Sequence, residues 1–340
     1  MLPPRFLRPI PEAALFEAID RAQSIASGRV RALLLRAIAA LQDSADRAIM
    51  ARAEATEDGG LAVTAFDWEE FARALRALSE ALSPAVRNGT ILGLAMVPAA
   101  GTPLDAAVVG AAAEAWLASH TGELITAITE NTRLGIRALV SAAIRGPGAS
   151  FGGDRALRDK IAALLRVRQL NGLVGLTEQQ ARSLAKYGAE LVARNPDITA
   201  RLFNLRMEQR FAKLLRVRAT AIARTEASFA SNAGQLVAWR EAIIGGQLSA
   251  LRYEREWVTR VGRACERCAA FDGARAPMLG GVFVSSSGAT AAHPPLHPWC
   301  QCSQRIRRVK VAESELTAAD IEAAMRDTPV SLPIAALPPS

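Results

Sequence analysis

The spacing of apolar side chains along the chain predicts a protein built mainly from α-helices. Apolar residues recur at steps of three and four over residues 11–55 and again over 105–145, which places them on one helical face. A further helix is predicted over 68–82, ending before the next proline, and a short basic helix over 154–169. Asp58-Gly59-Gly60 is predicted to be a turn or linker.

The longest predicted helix lies in the second half of the chain. A Thr-x-x-Gln capping box at Thr177 opens a helix that is expected to continue through Ala193. The next helical pattern extends over 198–244, with a bend or interruption near Ser231-Asn232, and Gly245-Gly246 ends it. These segments predict an elongated helical body.

Past Gly246 the pattern changes to short stretches that resemble strands joined by turns, at residues 253–258, 271–273 and 282–284. An Asp-Gly pair within the second stretch favours a tight turn. The predicted fold class is therefore mainly α, an elongated helical body with a small C-terminal α/β module at residues 247–312. The chain from Thr328 onward is expected to be mobile.

Composition narrows the class of protein. Half of the residues are apolar but only 5% are aromatic, which favours closely packed helices over a β-sandwich. The N-terminus lacks the continuous apolar region of a secretory signal. The uncharged stretch at 88–104 is interrupted by Gly and Pro, and a membrane span needs about 20 apolar residues. A soluble protein is predicted.

The net charge of +8 is concentrated in the C-terminal third. Residues 201–310 contain 18 Lys and Arg against 7 Asp and Glu, whereas residues 1–200 contain 22 against 21. This asymmetry indicates contact with DNA or with an acidic protein surface, and the alternative is a solvated basic face without a partner.

The four cysteines lie between positions 265 and 302, and two of the three histidines share that window. A Cys-x-x-Cys pair brings two thiolates to one ion, and a second pair from a distant segment can complete a tetrahedron. Structural zinc is the favoured interpretation, because so small a module has little core of its own. Disulfides and unligated thiols are the open alternatives. Catalytic zinc is not predicted, because no His-Glu-x-x-His or deaminase pattern is present.

The sequence around the cysteines carries a longer motif. WVTRVGRACERCAAFDG is followed by PPLHPWCQC, and an Arg-Thr-Glu helix with Asn232 lies upstream. This pattern resembles the phage Mu F-like head morphogenesis (minor head/minor capsid) protein family, specifically over residues 172–302 and more loosely over 115–171. Gln301 departs from the pattern, since Arg is common there. The matching positions are Trp257, Cys265, Cys268, Asp272, Gly273, Phe283, Pro294, Pro295, His297, Pro298, Cys300 and Cys302.

The resemblance implies a non-catalytic minor head protein of a tailed phage or phage-like particle, acting in head morphogenesis at the portal and in DNA packaging or delivery. Its partners would be the portal protein, the major capsid protein and packaged double-stranded DNA, with no small-molecule substrate. Its location would be the virion, in the head interior or at the portal vertex, after assembly in the host cytoplasm. Membrane contact would be confined to DNA ejection.

The expected organisation has four parts along the chain. They are a helical N-terminal region at 1–110, a helical body at 111–246, a Cys-rich α/β module of Mu F type at 247–312 and a helical or flexible tail at 313–340. The sequence does not indicate a function for the N-terminal region at 1–110.

Candidate functional residues fall into three sets. The candidate metal ligands are Cys265, Cys268, His297, Cys300 and Cys302. Contacts to DNA or a partner are expected from seven basic residues, unless the helix that bears the first four is a core helix with a basic outer face; they are Arg210, Lys213, Arg216, Arg218, Arg305, Arg307 and Arg308. Four residues are expected to brace the module, with portal docking as the alternative for the first two: Arg224, Glu226, Asn232 and Trp257.

Two classes of function follow from these patterns. The first is the phage head assembly protein, and the alternative is an intracellular zinc-containing nucleic-acid-binding protein. An enzyme is disfavoured, because no Ser/His/Asp arrangement, P-loop or dinucleotide fingerprint occurs in the sequence. His120 is expected to be an ordinary helical residue.

Overall fold

The computed structural model describes residues 12–56, 58–97, 106–145, 175–260 and 264–309. The described chain is mostly helical and its strands lie in the C-terminal module, which confirms the predicted fold class. The helices are α1 (Glu12–Asp43), α2 (Arg47–Ala55), α3 (Gly59–Val63), α4 (Trp68–Leu75), α5 (Leu78–Met96), α6 (Ala106–Arg145), α7 (Glu178–Arg194), α8 (Ala200–Ile244) and α9 (Glu266–Ala269).

The chain divides into two compact units, each made from separate stretches of sequence. The first unit consists of Met1–Val30, Leu78–Thr121 and Ala221–Pro338. The second consists of Arg31–Ala77, Gly122–Thr220 and the last two residues. Each unit therefore depends on packing between residues that are distant in the sequence.

Three helix predictions differ from the structure. The described part of the segment predicted over 11–55 forms two helices, α1 and α2, separated at residues 44–46. The predicted turn at 58–60 is the start of α3, because the Asp58 carboxylate caps that helix and accepts from Gly60 N at 2.8 Å. The helix predicted over 68–82 is two helices, and α5 continues through Pro84. Its buried neighbours Leu82 and Ala85 pack into the core, which offsets the one backbone hydrogen bond that proline removes.

Helix α7 begins as predicted, at a capping box. The Thr177 hydroxyl accepts from the backbone of Gln180, whose side chain accepts from the backbone of Thr177. The expected interruption of α8 near Ser231-Asn232 is wrong, because the Asn232 amide donates to the Ser228 carbonyl one turn earlier and is satisfied within the helix. The helix predicted over 154–169 and the tail from Thr328 lie outside the described residues.

In the first unit, α5 and α8 cross at backbone contact. A Cβ atom on Gly89 would lie 1.9 Å from the Ser231 carbonyl oxygen, and one on Gly234 would lie 2.3 Å from that of Val86. Gly93, expected to interrupt the helix, is part of the same contact. No helix in the part of the chain that the structure describes combines the length and the apolarity needed to span a membrane.

In the second unit, the first half of α8 packs through a stripe at four-residue steps, Phe203, Met207 and Phe211. Leu205, on the same helix, lies off this stripe and is 49% exposed. Helix α6 is also tightly packed, since a Cβ atom on Gly135 would lie 1.8 Å from the Leu176 carbonyl oxygen. Helices in both units thus approach closely where glycine occurs.

The C-terminal module contains two antiparallel sheets. Strand β1 (Tyr253–Val258) lies between β2 (Arg275–Pro277) and β5 (Ser303–Arg308), and β3 (Phe283–Val284) pairs with β4 (Thr290–Ala291). In the larger sheet Trp257 lies opposite Gln304.

Residues 271–273, expected as a strand, form a turn in which Gly273 has a φ of 70°. The Asp272 carboxylate accepts from the backbone N–H of Thr259 at 2.9 Å and from its hydroxyl at 2.7 Å. This side chain therefore ties the turn to the end of β1, and the two hydrogen bonds favour a turn over continued strand pairing.

A small apolar cluster forms the core of the module. Trp257 is fully buried, with ring centroids 5.0 Å from Phe271 and 5.2 Å from Phe283. The remaining buried members are Ala276 and three of the four cysteines. Because the cysteines lie at the edge of this core, their chemistry bears directly on its stability.

Candidate metal centre

The first two cysteines are presented by α9. Cys265 is the N-cap of this short helix and Cys268 lies within it, so a single turn carries both sulfur atoms. Cys265 is exposed and Cys268 is buried. This is the local arrangement that the Cys-x-x-Cys spacing predicts.

The loop at 297–302 brings the other candidate ligands to α9. The Nε2 atom of His297 lies 3.1 Å from Cys265 Sγ and 3.0 Å from Cys268 Sγ. Cys300 Sγ lies 3.6 Å from Cys268 Sγ. The five residues form two groups, Cys265–Cys268–His297 and Cys268–Cys300–Cys302, in each of which the ligand atoms lie within 4.8 Å of one another. Cys268 belongs to both groups, and the cluster could hold a metal ion.

One of these distances matches the spacing of ligands in a tetrahedral metal site. With metal–sulfur bonds of about 2.3 Å, two thiolate ligands of one tetrahedron lie roughly 3.8 Å apart, close to the Cys268–Cys300 separation. Within the described residues the buried Nε1 atom of Trp257 has no hydrogen-bond partner, and Cys302 belongs to the same buried core. Such N–H donors commonly support metal-bound thiolates from outside the ligand set.

The electrostatics of the cluster favour a cation. Contact with Cys300 raises the pKa of Cys268, and contact with Cys268 lowers the pKa of Cys300, because the two thiols share one proton. Desolvation raises the pKa of Cys265. Hydrogen bonds from the backbone N–H and side chain of Cys268, together with the nearby His297, lower it by more, so the pKa is below its usual value. A divalent metal ion would replace the shared proton and stabilise every coordinated thiolate.

Helix α8 holds the loop that carries the second cysteine pair. The Asn232 amide donates to the Cys302 carbonyl at 3.4 Å, and its Oδ1 accepts from the Ser303 hydroxyl at 3.3 Å. The Gln304 amide donates to the Asn232 carbonyl at 3.3 Å, and the Thr225 hydroxyl accepts from Trp299 N at 3.3 Å. Asn232 therefore joins α8 to this loop and to β5, while Trp257 is buried in the core of the module.

The other two predicted bracing residues have different surroundings. Arg224 is exposed and its guanidinium lies 5.1 Å from the ring centroid of Trp299. Glu226 is buried, and its Oε2 lies 2.7 Å from Nε2 of His120. The His120 ring stacks between Trp116 and Phe229, at centroid distances of 4.8 and 4.7 Å. His120 is thus a buried partner of the Arg-Thr-Glu segment, although nothing in its local sequence indicates this.

The sequence predicts that four basic residues of α8 contact DNA or a partner, and for one of them the prediction is wrong. Arg218 is buried and donates to the Gly175 carbonyl, to the Ile128 carbonyl at 3.3 Å and to the Thr132 hydroxyl at 3.1 Å. Its burial lowers its pKa to about 10. A cation so occupied cannot reach a phosphate group.

The remaining basic residues stay on or near the surface. Lys213, Arg216 and Arg308 are exposed, while Arg210 is half-buried with its guanidinium 5.7 Å from the Tyr187 ring centroid. Arg305 and Arg307 both donate to the Glu256 carboxylate, at 3.2 and 3.3 Å. Burial raises the pKa of Glu256, but these two arginines lower it more. The positive charge of this second cluster is thus partly neutralised.

Comparison of the chain with protein families, with curated proteins and with solved structures finds no match. The function is therefore inferred from the site itself and from the motif resemblance.

Proposed function

We propose that this protein is a non-catalytic minor head protein of a tailed phage or phage-like particle, which acts in head morphogenesis at the portal. The observation that carries the proposal is the convergence of the motif residues. Cys265 and Cys268 face His297 and Cys300 at the edge of a core built on Trp257. Asn232, from the Arg-Thr-Glu helix of the same motif, hydrogen-bonds Cys302 in the loop before β5 and Ser303 at the start of that strand.

In this proposal one zinc ion crosslinks the module. The ligands are drawn from Cys265, Cys268, His297, Cys300 and Cys302, and Cys268 is common to both groups of closely spaced ligand atoms. Four of these five residues would complete a tetrahedron. Zinc suits two or three thiolates with one imidazole, and it supplies a crosslink without redox chemistry.

Metal content tests the zinc proposal. The purified full chain is examined by elemental mass spectrometry and by a free-thiol count before and after addition of a chelator. The expected result is one zinc per chain, with the buried thiols reacting only after the metal is removed. No metal, together with four freely reactive thiols, would exclude the zinc site.

Co-purification tests the assembly role. The chain is co-expressed with candidate portal and major capsid proteins, and the complexes are separated by size. Stable association with the ring-shaped portal is the expected result. A variant with Arg224→Ala, which removes an exposed side chain of the motif, distinguishes docking through Arg224 from a purely bracing role for this segment. A chain that never associates with portal or capsid proteins would contradict the proposal.

A nucleic-acid-binding protein is the second candidate, and the exposed side chains of Arg206, Lys213 and Arg216 on α8 favour it. Phosphate contacts make affinity fall steeply with salt, with a slope of about −0.9 per contact in log–log form for duplex DNA. This slope is measured from the affinity of the purified full chain for random duplex DNA at a series of salt concentrations. Strong salt-dependent binding without portal association would favour this candidate over the first.

A further inference from the structure

The first unit contains a cavity of about 420 Å³ that the proposed assembly function does not use. Aromatic side chains form much of its wall, Trp116 from α6 and Phe229 and Trp239 from α8. The loop Met278–Val282 of the module also lines the cavity, and its Val282 is 48% exposed. Cavities of a few hundred Å³ with mainly apolar walls are typical small-molecule sites.

One buried cation in this wall has no acid beside it. The Arg255 guanidinium donates to the Pro277 carbonyl at 3.0 Å, to the Ala292 carbonyl at 2.9 Å and to the Gly281 carbonyl. Within the described residues no carboxylate forms an ion pair with it, and burial lowers its pKa to about 10. Three of its five N–H groups are used, so two remain for a ligand.

A second cation adds an unused donor. The Nε atom of Arg240 is buried and has no hydrogen-bond partner within the described residues, and Arg240 also lines the cavity. A buried donor without a partner costs free energy, which an acceptor on a ligand would recover.

The remaining ionisable groups leave the wall positive. His293 also lines the cavity, and burial lowers its pKa to about 4, so its ring is neutral at pH 7. Glu241 contributes one carboxylate against the two guanidinium groups of Arg240 and Arg255. The apolar walls therefore enclose a net positive charge that favours one anionic group.

We propose that this cavity binds a small amphipathic anion, with an apolar body and a single carboxylate, of the class of medium-chain fatty acids. Since a water-sized group occupies about 30 Å³, the space holds an apolar body of about a dozen such groups. The body lies against Trp116, Phe229 and Trp239, and the carboxylate accepts from Arg240 and Arg255. The ligand is bound and not chemically changed. None of the residues that contact it is a proposed metal ligand, so the inference does not rest on the assembly function.

Dodecanoate is the probe, used below its micelle concentration with the zinc-loaded full chain. Binding is followed by isothermal titration calorimetry and by the fluorescence of the tryptophans, two of which line the cavity. One dodecanoate per chain is expected to bind, at least about tenfold more tightly than dodecanol, because a charge-assisted hydrogen bond is worth more than a neutral one. Equal affinity for the neutral alcohol would overturn the assignment of an anionic ligand.

A matched pair of substitutions locates the site. Ala115 and Ala118 are both exposed residues of α6, but only Ala115 lines the cavity. Ala115→Phe is expected to reduce dodecanoate affinity by at least tenfold, and Ala118→Phe to leave it unchanged. Arg240→Gln is expected to weaken dodecanoate and leave dodecanol unaffected. No saturable binding by the wild type, or equal binding by both Ala→Phe variants, would overturn the proposal.

Discussion

The C-terminal module and the second unit differ in their buried contacts, although each contains a buried arginine that pairs with no acid among the described residues. In the second unit, Arg218 donates to the Ile128 carbonyl and the Thr132 hydroxyl within α6 and to the Gly175 carbonyl, and Gly135 allows backbone contact. In the module, Arg255 donates to the carbonyls of Pro277 in β2 and of Ala292 after β4, and the apolar core is small. The second unit therefore has contacts spread over long helices, whereas the small core of the module includes three cysteines of the Cys/His cluster.

Substitution of Cys268, the cysteine common to both groups, should reveal the largest difference in stability between the module and the second unit. Cys268→Ser is expected to abolish zinc binding and unfold the module, since structural zinc contributes on the order of 10 kcal/mol to small zinc-dependent folds. Hydrogen exchange measured by mass spectrometry should then show lost protection in β1 and β5 and retained protection in α7.

The control for this substitution is the exposed neighbour of Cys268. Ala269→Ser adds a hydroxyl on the same turn and should leave both zinc content and exchange unchanged. If Cys268→Ser kept the protection of β1, the stability of the module would not depend on the cluster.

A Cβ atom at the closest approach in the second unit should have the next largest effect. Gly135→Ala is expected to lower the free energy of unfolding by about 3 kcal/mol, because the new Cβ meets the Leu176 carbonyl and the helix must move. A Cβ atom on Gly122, also in α6, would have no other atom within 4 Å, so Gly122→Ala should stabilise by about 0.5–1 kcal/mol. Denaturant unfolding of the two variants measures both values, and equal changes would contradict the difference in packing between the two glycines.

Removing the buried guanidinium of the second unit should have a moderate effect. Arg218→Met leaves the Gly175 carbonyl without its donor and is expected to cost about 2 kcal/mol, measured by denaturant unfolding. Arg216→Met, two residues earlier and exposed, is the control, with an expected change within about 0.5 kcal/mol. If Arg216→Met lowered the free energy of unfolding more than Arg218→Met, then surface charge and not the buried hydrogen bonds would be what stabilises this part of α8.

The last expected effect is a pH dependence in the first unit. The pKa of His293 is about 4 in the folded protein and about 6.5 when unfolded, so below pH 6.5 the unfolded state binds the proton first. The contribution of neutral His293 to the free energy of unfolding should be fully present above pH 6.5. It should decrease as the pH falls toward 4, with a limiting slope of about 1.4 kcal/mol per pH unit.

His293→Asn isolates this contribution to the acid response. The asparagine amide can replace the donor that His293 Nδ1 offers to the Pro294 carbonyl at 2.6 Å, but it does not titrate. Unfolding curves from pH 7 to pH 5 should be flatter for the variant than for the wild type. Identical slopes would show that the imidazole is not what titrates.

The sequence predicts those features that depend on neighbouring residues. The capping box at Thr177, the long helix α6 and the meeting of Cys265 with Cys268 all follow from local spacing. Residue types alone predict a Cys/His cluster, and the structure brings those residues together. Whether the ion is zinc, and whether the chain assembles with a portal, stay predictions.

The features that the sequence does not predict depend on tertiary contacts. Gly89 and Gly93 suggest a weak helix, yet they lie where α8 crosses α5 and no side chain fits. Arg218 has the charge of its surface neighbours, and the approach of Gly175 and of α6 to α8 buries it. The pairing of His120 with Glu226 joins residues more than a hundred positions apart, beyond the reach of any local pattern.

The order of strands in the larger sheet has a consequence for synthesis of the protein. Strand β1 is the central strand, and both of its partners follow it in the chain, the second ending at Arg308. While the chain is being translated, β1 emerges from the ribosome with both edges unpaired, and an unpaired edge can associate with other chains. The Asn232 contacts likewise form only after Ser303 has been added. The first unit can therefore be completed only late in translation, and a ribosome that pauses between β1 and β5 should yield an aggregation-prone chain.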